Sequence, residues 1–188
     1  MKKLLLLSIT LFSACSIFSQ EIKLPEKPKT SNHKDYRQEV AGFWSSAELD
    51  LGSSVMFKKK NLQNIGISYT GGFRFNEFLK VGVGVGVKYY YNNNEVRNSD
   101  IKWTFTIYAN VRGNIISQNN RSCVPYWGIK LGTVIRDGFF FSPTLGVRLG
   151  EHRDSWLLNI SYSYNKLEVL PDVNTDCNFL LLGVGYEF

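Results

Sequence analysis

From Leu79 to Tyr91 the chain alternates without a break. One face reads Leu79, Val81, Val83, Val85, Val87, Tyr89 and Tyr91, and the other reads Lys80, Gly82, Gly84, Gly86, Lys88 and Tyr90. Successive side chains of a strand point to opposite faces, so strict period two specifies a strand and contradicts an amphipathic helix. The last segment repeats the pattern, with Leu180, Leu182, Val184, Tyr186 and Phe188 opposite Phe179, Leu181, Gly183, Gly185 and Glu187. So does a third, with Ile101, Trp103, Phe105, Ile107, Ala109 and Val111 opposite Lys102, Thr104, Thr106, Tyr108, Asn110 and Arg112.

Five further segments follow the rule more loosely, near 43–56, 65–75, 127–135, 139–149 and 158–164, which makes eight in residues 42–188. Each strand with its connection averages roughly eighteen residues, the length of a tilted strand of about 9–11 residues plus a turn. An even strand number closes an antiparallel barrel with both termini on one side. The expected fold is therefore all-β, an eight-stranded antiparallel up-and-down transmembrane β-barrel. Connections are expected at 58–61, 92–100, 136–138 and 167–176 on one side, and at 76–77, 118–121 and 151–154 on the other. Sixteen glycines, a 14% aromatic content and five prolines suit such a chain, and three cysteines are too few for a disulfide scaffold.

Residues 1–19 carry Lys2 and Lys3, then the apolar stretch from Leu4 to Phe12, then small residues up to Ser19. This reads as a cleaved secretory signal peptide. A rival cut before Cys15 resembles a loose lipoprotein box, with Phe12 where Leu is usual. Removing two lysines lowers the net charge from +6 to +4. Residues 20–41 are polar, hold two prolines and read as a flexible periplasmic lead-in to a barrel domain at 42–188. The mild charge, with no polybasic arm, gives no nucleic-acid partner. No apolar run of eighteen residues follows the signal, so a membrane crossing requires a closed barrel.

Alternation alone leaves open which face is inside. A soluble lipocalin-like barrel turns its apolar face inward. Three features favour the reverse. Most strands carry more bulky apolar residues than an eight-stranded interior can house. The opposite face is rich in Gly, Ser, Thr, Lys and Arg. Aromatics gather near strand ends, among them Phe75, Tyr89, Tyr91, Trp103, Trp127, Phe139, Trp156, Tyr164, Tyr186 and Phe188, as interface girdles do.

On residues 42–188 the chain resembles the small outer-membrane β-barrel proteins of diderm bacteria, the porin-like superfamily that includes outer-membrane protein A-type domains. The most specific match is the last strand, which alternates up to a terminal Phe188, with the short hairpin Phe73-Arg74-Phe75-Asn76-Glu77-Phe78 beside it. The resemblance implies an outer-membrane location and lipid contact. It also implies that the barrel assembly machinery reads a C-terminal signal, here Tyr186 and Phe188. It implies no single function.

The polar face collects Glu48, Asp50, Arg74, Lys80, Lys88, Lys102, Arg112, Lys130, Arg148 and Glu187, seven basic residues against three acidic. Charges removed from water must pair, so the expected lumen is a salt-bridged plug with a structural or surface-interaction role. The alternatives are a narrow porin-like channel for small solutes with an anion preference, and a soluble periplasmic lipocalin-like binder. Enzymatic chemistry is not expected. His33 lies in the lead-in and His152 in a turn, and neither sits beside a nucleophile. No cofactor or metal site is expected, because two histidines and two mature cysteines lack ligand spacing. Cys123 and Cys177 are expected near opposite rims, beyond disulfide reach. Lys58-Lys59-Lys60 and Asn92-Asn93-Asn94 are candidate loop contacts for surface polysaccharide or a host ligand.

Overall fold

The computed structural model describes residues 41–54, 63–91, 103–118, 121–135, 138–150, 154–170 and 173–188. The signal and most of the lead-in, Cys15, His33, Lys102, His152 and both candidate loop motifs lie outside them. The strands are β1 (Gly42–Ser54), β2 (Gln63–Asn76), β3 (Leu79–Tyr91), β4 (Trp103–Asn114), β5 (Cys123–Val134), β6 (Gly138–Gly150), β7 (Ser155–Leu170) and β8 (Val173–Glu187). Each pairs antiparallel with its neighbours in sequence, and β1 pairs with β8, closing the barrel.

The register fixes the geometry. Stepping across the ladder from Glu48 through Ser68, Gly86 and Thr106 leads to Val134. Stepping the other way through Gly185, Leu157 and Arg148 leads to Val124, ten residues lower on the same strand. Eight strands with that stagger tilt by about 40° and enclose little more than side-chain volume.

The faces are inverted relative to a water-soluble core. Among the described residues, 25 polar or charged side chains are buried against 12 apolar ones. Ile67, Val83, Leu145 and Leu182 point outward, and Val83 is 71% exposed. Such an exterior is costly in water and suits hydrocarbon. The lipocalin-like arrangement requires the opposite orientation, so the soluble alternative does not fit these faces.

Aromatic rings bound the aliphatic band. At the end where β1 begins and β8 finishes, Phe43, Phe73 and Phe75 meet edge to face at 5.7 and 5.2 Å, and Trp156, Tyr186 and Phe188 form a second group at 5.2 and 6.3 Å. At the loop end Tyr89 and Trp103 lie 4.8 Å apart. On β7, Trp156 and Tyr164 sit eight residues apart, which at the observed tilt spans about 20 Å of the barrel axis, close to the height of an apolar membrane band.

One connection departs from expectation. Residues 167–176, expected as a loop, mostly continue the β7–β8 ladder, with Lys166 opposite Asp176 and Leu170 opposite Val173. Polar residues there blur the alternation, but backbone pairing carries on as far as Leu170 and Val173. The turns at the terminal end are knit together. Glu77 accepts hydrogen bonds from Ser117 Oγ at 2.8 Å and the Gln118 amide at 2.9 Å, and Gln118 Nε2 donates to the Gly150 carbonyl at 2.9 Å. Gly150 turns with φ +129°, and an added Cβ would meet the Asp154 carbonyl at 2.5 Å.

Candidate functional site

The lumen is the candidate site, because the alternation delivers nearly every described charge of the strands to it. Nine of the ten expected lumen charges are described, and all nine are buried. They form two connected groups.

The first lies toward the terminal end around Glu187, which is fully buried. Its carboxylate accepts from Arg74 Nη2 at 2.8 Å, Arg148 Nη2 at 2.9 Å and Lys80 Nζ, with Arg112 Nη1 3.6 Å away. These partners come from β2, β6, β3 and β4, so one residue of β8 ties together strands from most of the circumference. The Trp44 ring packs among them, 5.9 Å from Lys80 Nζ and 5.0 Å from the Arg112 guanidinium carbon.

The second group lies at mid-height around Glu48. Its carboxylate accepts from Arg112 Nη2, from Lys130 Nζ at 2.8 Å and from Ser46 Oγ at 3.2 Å. Lys130 also approaches Asp50 at 3.9 Å. Arg112 joins the two groups into one ladder of charge. Glu48 stands on β1 and Lys130 on β5, four strands away in a barrel of eight, so their contact bridges opposite walls.

The expected charge cluster is thus brought together, and Glu48, Asp50 and Glu187 all face cations. The lumen also holds large rings that sequence reasoning left without a role. Tyr90, Phe179 and Leu181 cluster toward the loop end, with Tyr108, Val134 and Phe140 beside them. Lys130 lies over the Tyr108 ring at 5.4 Å, and Lys88 lies over the Phe140 ring at 4.4 Å. The lumenal glycines carry the signal for these rings. A Cβ on Gly84 would fall 2.5 Å from the Tyr108 ring, and one on Gly146 2.7 Å from the Tyr126 ring. Each glycine is the space its neighbour's ring occupies.

Tyr186 and Phe188 face outward at the terminal rim. The Phe188 amide donates to the Ser45 carbonyl at 2.9 Å and the Ser45 amide donates to the Phe188 carbonyl at 2.8 Å, so the last residue helps close the β1–β8 seam. Cys123 and Cys177 lie toward opposite ends, separated by about 30 Å of strand. No group of three metal-ligating side chains occurs among the described residues.

No protein-family model matches the chain, and no curated protein matches it. Among solved structures, Neisserial surface protein A superposes with a TM-score of 0.54 at 18% identity, covering 78% of this chain and 97% of that one. The outer membrane protein Ail of Yersinia pestis matches at 18% identity and a TM-score of 0.40, covering 78% of this chain and all of that one. The outer membrane protein OprG from Pseudomonas aeruginosa gives 11% identity and 0.42, covering 78% and 96%. The resemblance read from the alternating strands therefore holds at the level of fold, and this chain has the eight-stranded barrel fold of Neisserial surface protein A.

Proposed function

We propose that this chain is an integral outer-membrane barrel protein of a diderm bacterium, with a structural or surface-interaction role and a lumen closed by ion pairs. The contact of Lys130 Nζ with Glu48 at 2.8 Å across opposite walls carries the closed lumen. The pair spans the lumen at mid-height, and breaking it strands a buried charge. The exposed aliphatic band supports lipid as the surrounding medium, and the shared fold with Neisserial surface protein A agrees with a location at the bacterial surface. The role involves no catalysis. The outward loops engage polysaccharide or a host ligand, export uses the cleaved signal at 1–19, and the assembly machinery reads Tyr186 and Phe188.

A second reading, a narrow anion-preferring conduit, is favoured by one observation. The described lumen holds six cations, Arg74, Lys80, Lys88, Arg112, Lys130 and Arg148, against three carboxylates. Planar-bilayer recordings of the refolded chain decide between the two. A closed lumen gives no steady conductance, whereas ohmic steps with anion selectivity establish the conduit. Membrane residence is tested by gel mobility of the carbonate-washed membrane fraction, where a folded barrel shifts on boiling and a soluble protein is absent.

A further inference from the structure

We infer that the lumen contains a binding site for one small monovalent anion, of halide size, beside Lys88. The site presupposes the closed lumen proposed above. Lys88 is 7% exposed, and its ammonium hydrogen-bonds nothing among the described residues. Its neighbours include the Asp50 carboxylate, which attracts it across a shared cavity without a hydrogen bond, and the Phe140 ring, 4.4 Å away, whose face favours a cation but accepts no N–H bond of ordinary strength. A buried ammonium carries three donors, and leaving them unused is costly.

Beside Lys88 lies a cavity of about 20 Å³, lined also by Lys130, Ser68, Ser142, Ser161 and Asp50. That volume admits one water-sized or halide-sized occupant and nothing as large as a phosphate. Its donors are two ammonium groups and the Ser68 hydroxyl, which has no hydrogen-bond partner among the described residues. A cation is disfavoured by both lysines.

Charge balance selects an anion. Glu48 is held by Arg112 and Lys130, and Lys130 also faces Asp50 at 3.9 Å. The mid-height group of Arg112, Lys130 and Lys88 against Glu48 and Asp50 is therefore one positive charge in excess. Uncompensated charge is expensive in a low-dielectric interior. A single monovalent anion at Lys88 offsets that one charge, held by the Lys88 and Lys130 ammonium groups against the Asp50 carboxylate, which lines the same cavity.

The test uses bromide as the probe and the refolded full chain in detergent. Crystals grown in sodium bromide should show an anomalous peak in contact with Lys88 Nζ. In solution the unfolding midpoint should rise saturably when bromide replaces gluconate at constant ionic strength. Lys88→Met, which keeps the side-chain length and removes the charge, should abolish the peak and weaken the halide dependence by about ten-fold or more. A wild-type crystal without bromide at Lys88, with a midpoint indifferent to the anion, overturns the site and leaves a water bridging Lys88 and Asp50. Bilayer recordings on the same preparation keep the two proposals apart. A quiet barrel without bromide refutes the anion site alone, and steady conductance refutes the closed lumen.

Discussion

Replacing Glu187 with Gln keeps the side-chain volume and removes one negative charge. In the folded barrel that charge is fully buried and faces Arg74 at 2.8 Å, Arg148 at 2.9 Å and Lys80. The variant leaves three cations desolvated with no carboxylate among them, since Glu48 is held by Arg112 and Lys130. Breaking a buried pair by removing one partner costs about 3–5 kcal/mol. With a urea slope of about 2 kcal/mol per molar, the unfolding midpoint should fall by about 2 M. The reverse perturbation has a different size. Lys80→Met leaves Arg74 and Arg148 on Glu187 and removes an excess charge, so it should cost under about 1 kcal/mol. Reversible urea unfolding of the detergent-refolded chain, followed by tryptophan fluorescence, measures both. Membrane insertion of the Gln variant should be retained, because the outward signal residues are unchanged. A Gln variant within about 0.5 kcal/mol of the parent, or one no worse than Lys80→Met, refutes the reasoning that one carboxylate organises this end of the lumen.

Four other outcomes follow from the packing. Gly84→Ala places a Cβ 2.5 Å from the Tyr108 ring and disturbs its 2.9 Å hydrogen bond with Thr70, so urea unfolding should register a loss of about 1–3 kcal/mol. Gly71→Ala, whose nearest neighbour is 4.0 Å away, should be nearly neutral in the same measurement. Val83→Arg, mid-band on the outer face, should cost about 2–4 kcal/mol in lipid, while Phe43→Arg at the rim should cost about 1 kcal/mol or less. Deleting Phe188 removes the Ser45 backbone pair as well as the terminal ring, and the heat-modifiable band in the membrane fraction should drop.

The sequence made the wall legible and the interior only partly so. Strict alternation at Leu79–Tyr91 and in the final strand specified strands and their faces, because a one-residue slip exchanges apolar and polar faces along the whole strand. The charges on the inner face were readable from the same period. Their partners were not. Whether Glu48 meets Lys130 depends on the ten-residue stagger, a property of the closed barrel that no single strand carries. Trp44, Tyr126 and Phe140 had no role in the sequence reading, because rings at inward positions resemble interruptions of the alternation until the facing glycines are placed beneath them. The β7–β8 hairpin exceeded its expected length because backbone pairing does not need apolar alternation beyond the membrane band.

Which face of the barrel meets lipid is read directly by quenching with lipids that carry brominated acyl chains. In a background with the outward Trp103, Trp127 and Trp156 changed to Phe, Trp44 remains as the reporter of the lumen, 3% exposed. A second variant, in which Trp44 is also changed to Phe and Val83 to Trp, reports the outer wall at mid-band. An outward aliphatic face gives strong quenching at position 83 and little at Trp44 in the same vesicles. Strong quenching of Trp44 with protection at position 83 would show the faces reversed and would contradict that orientation.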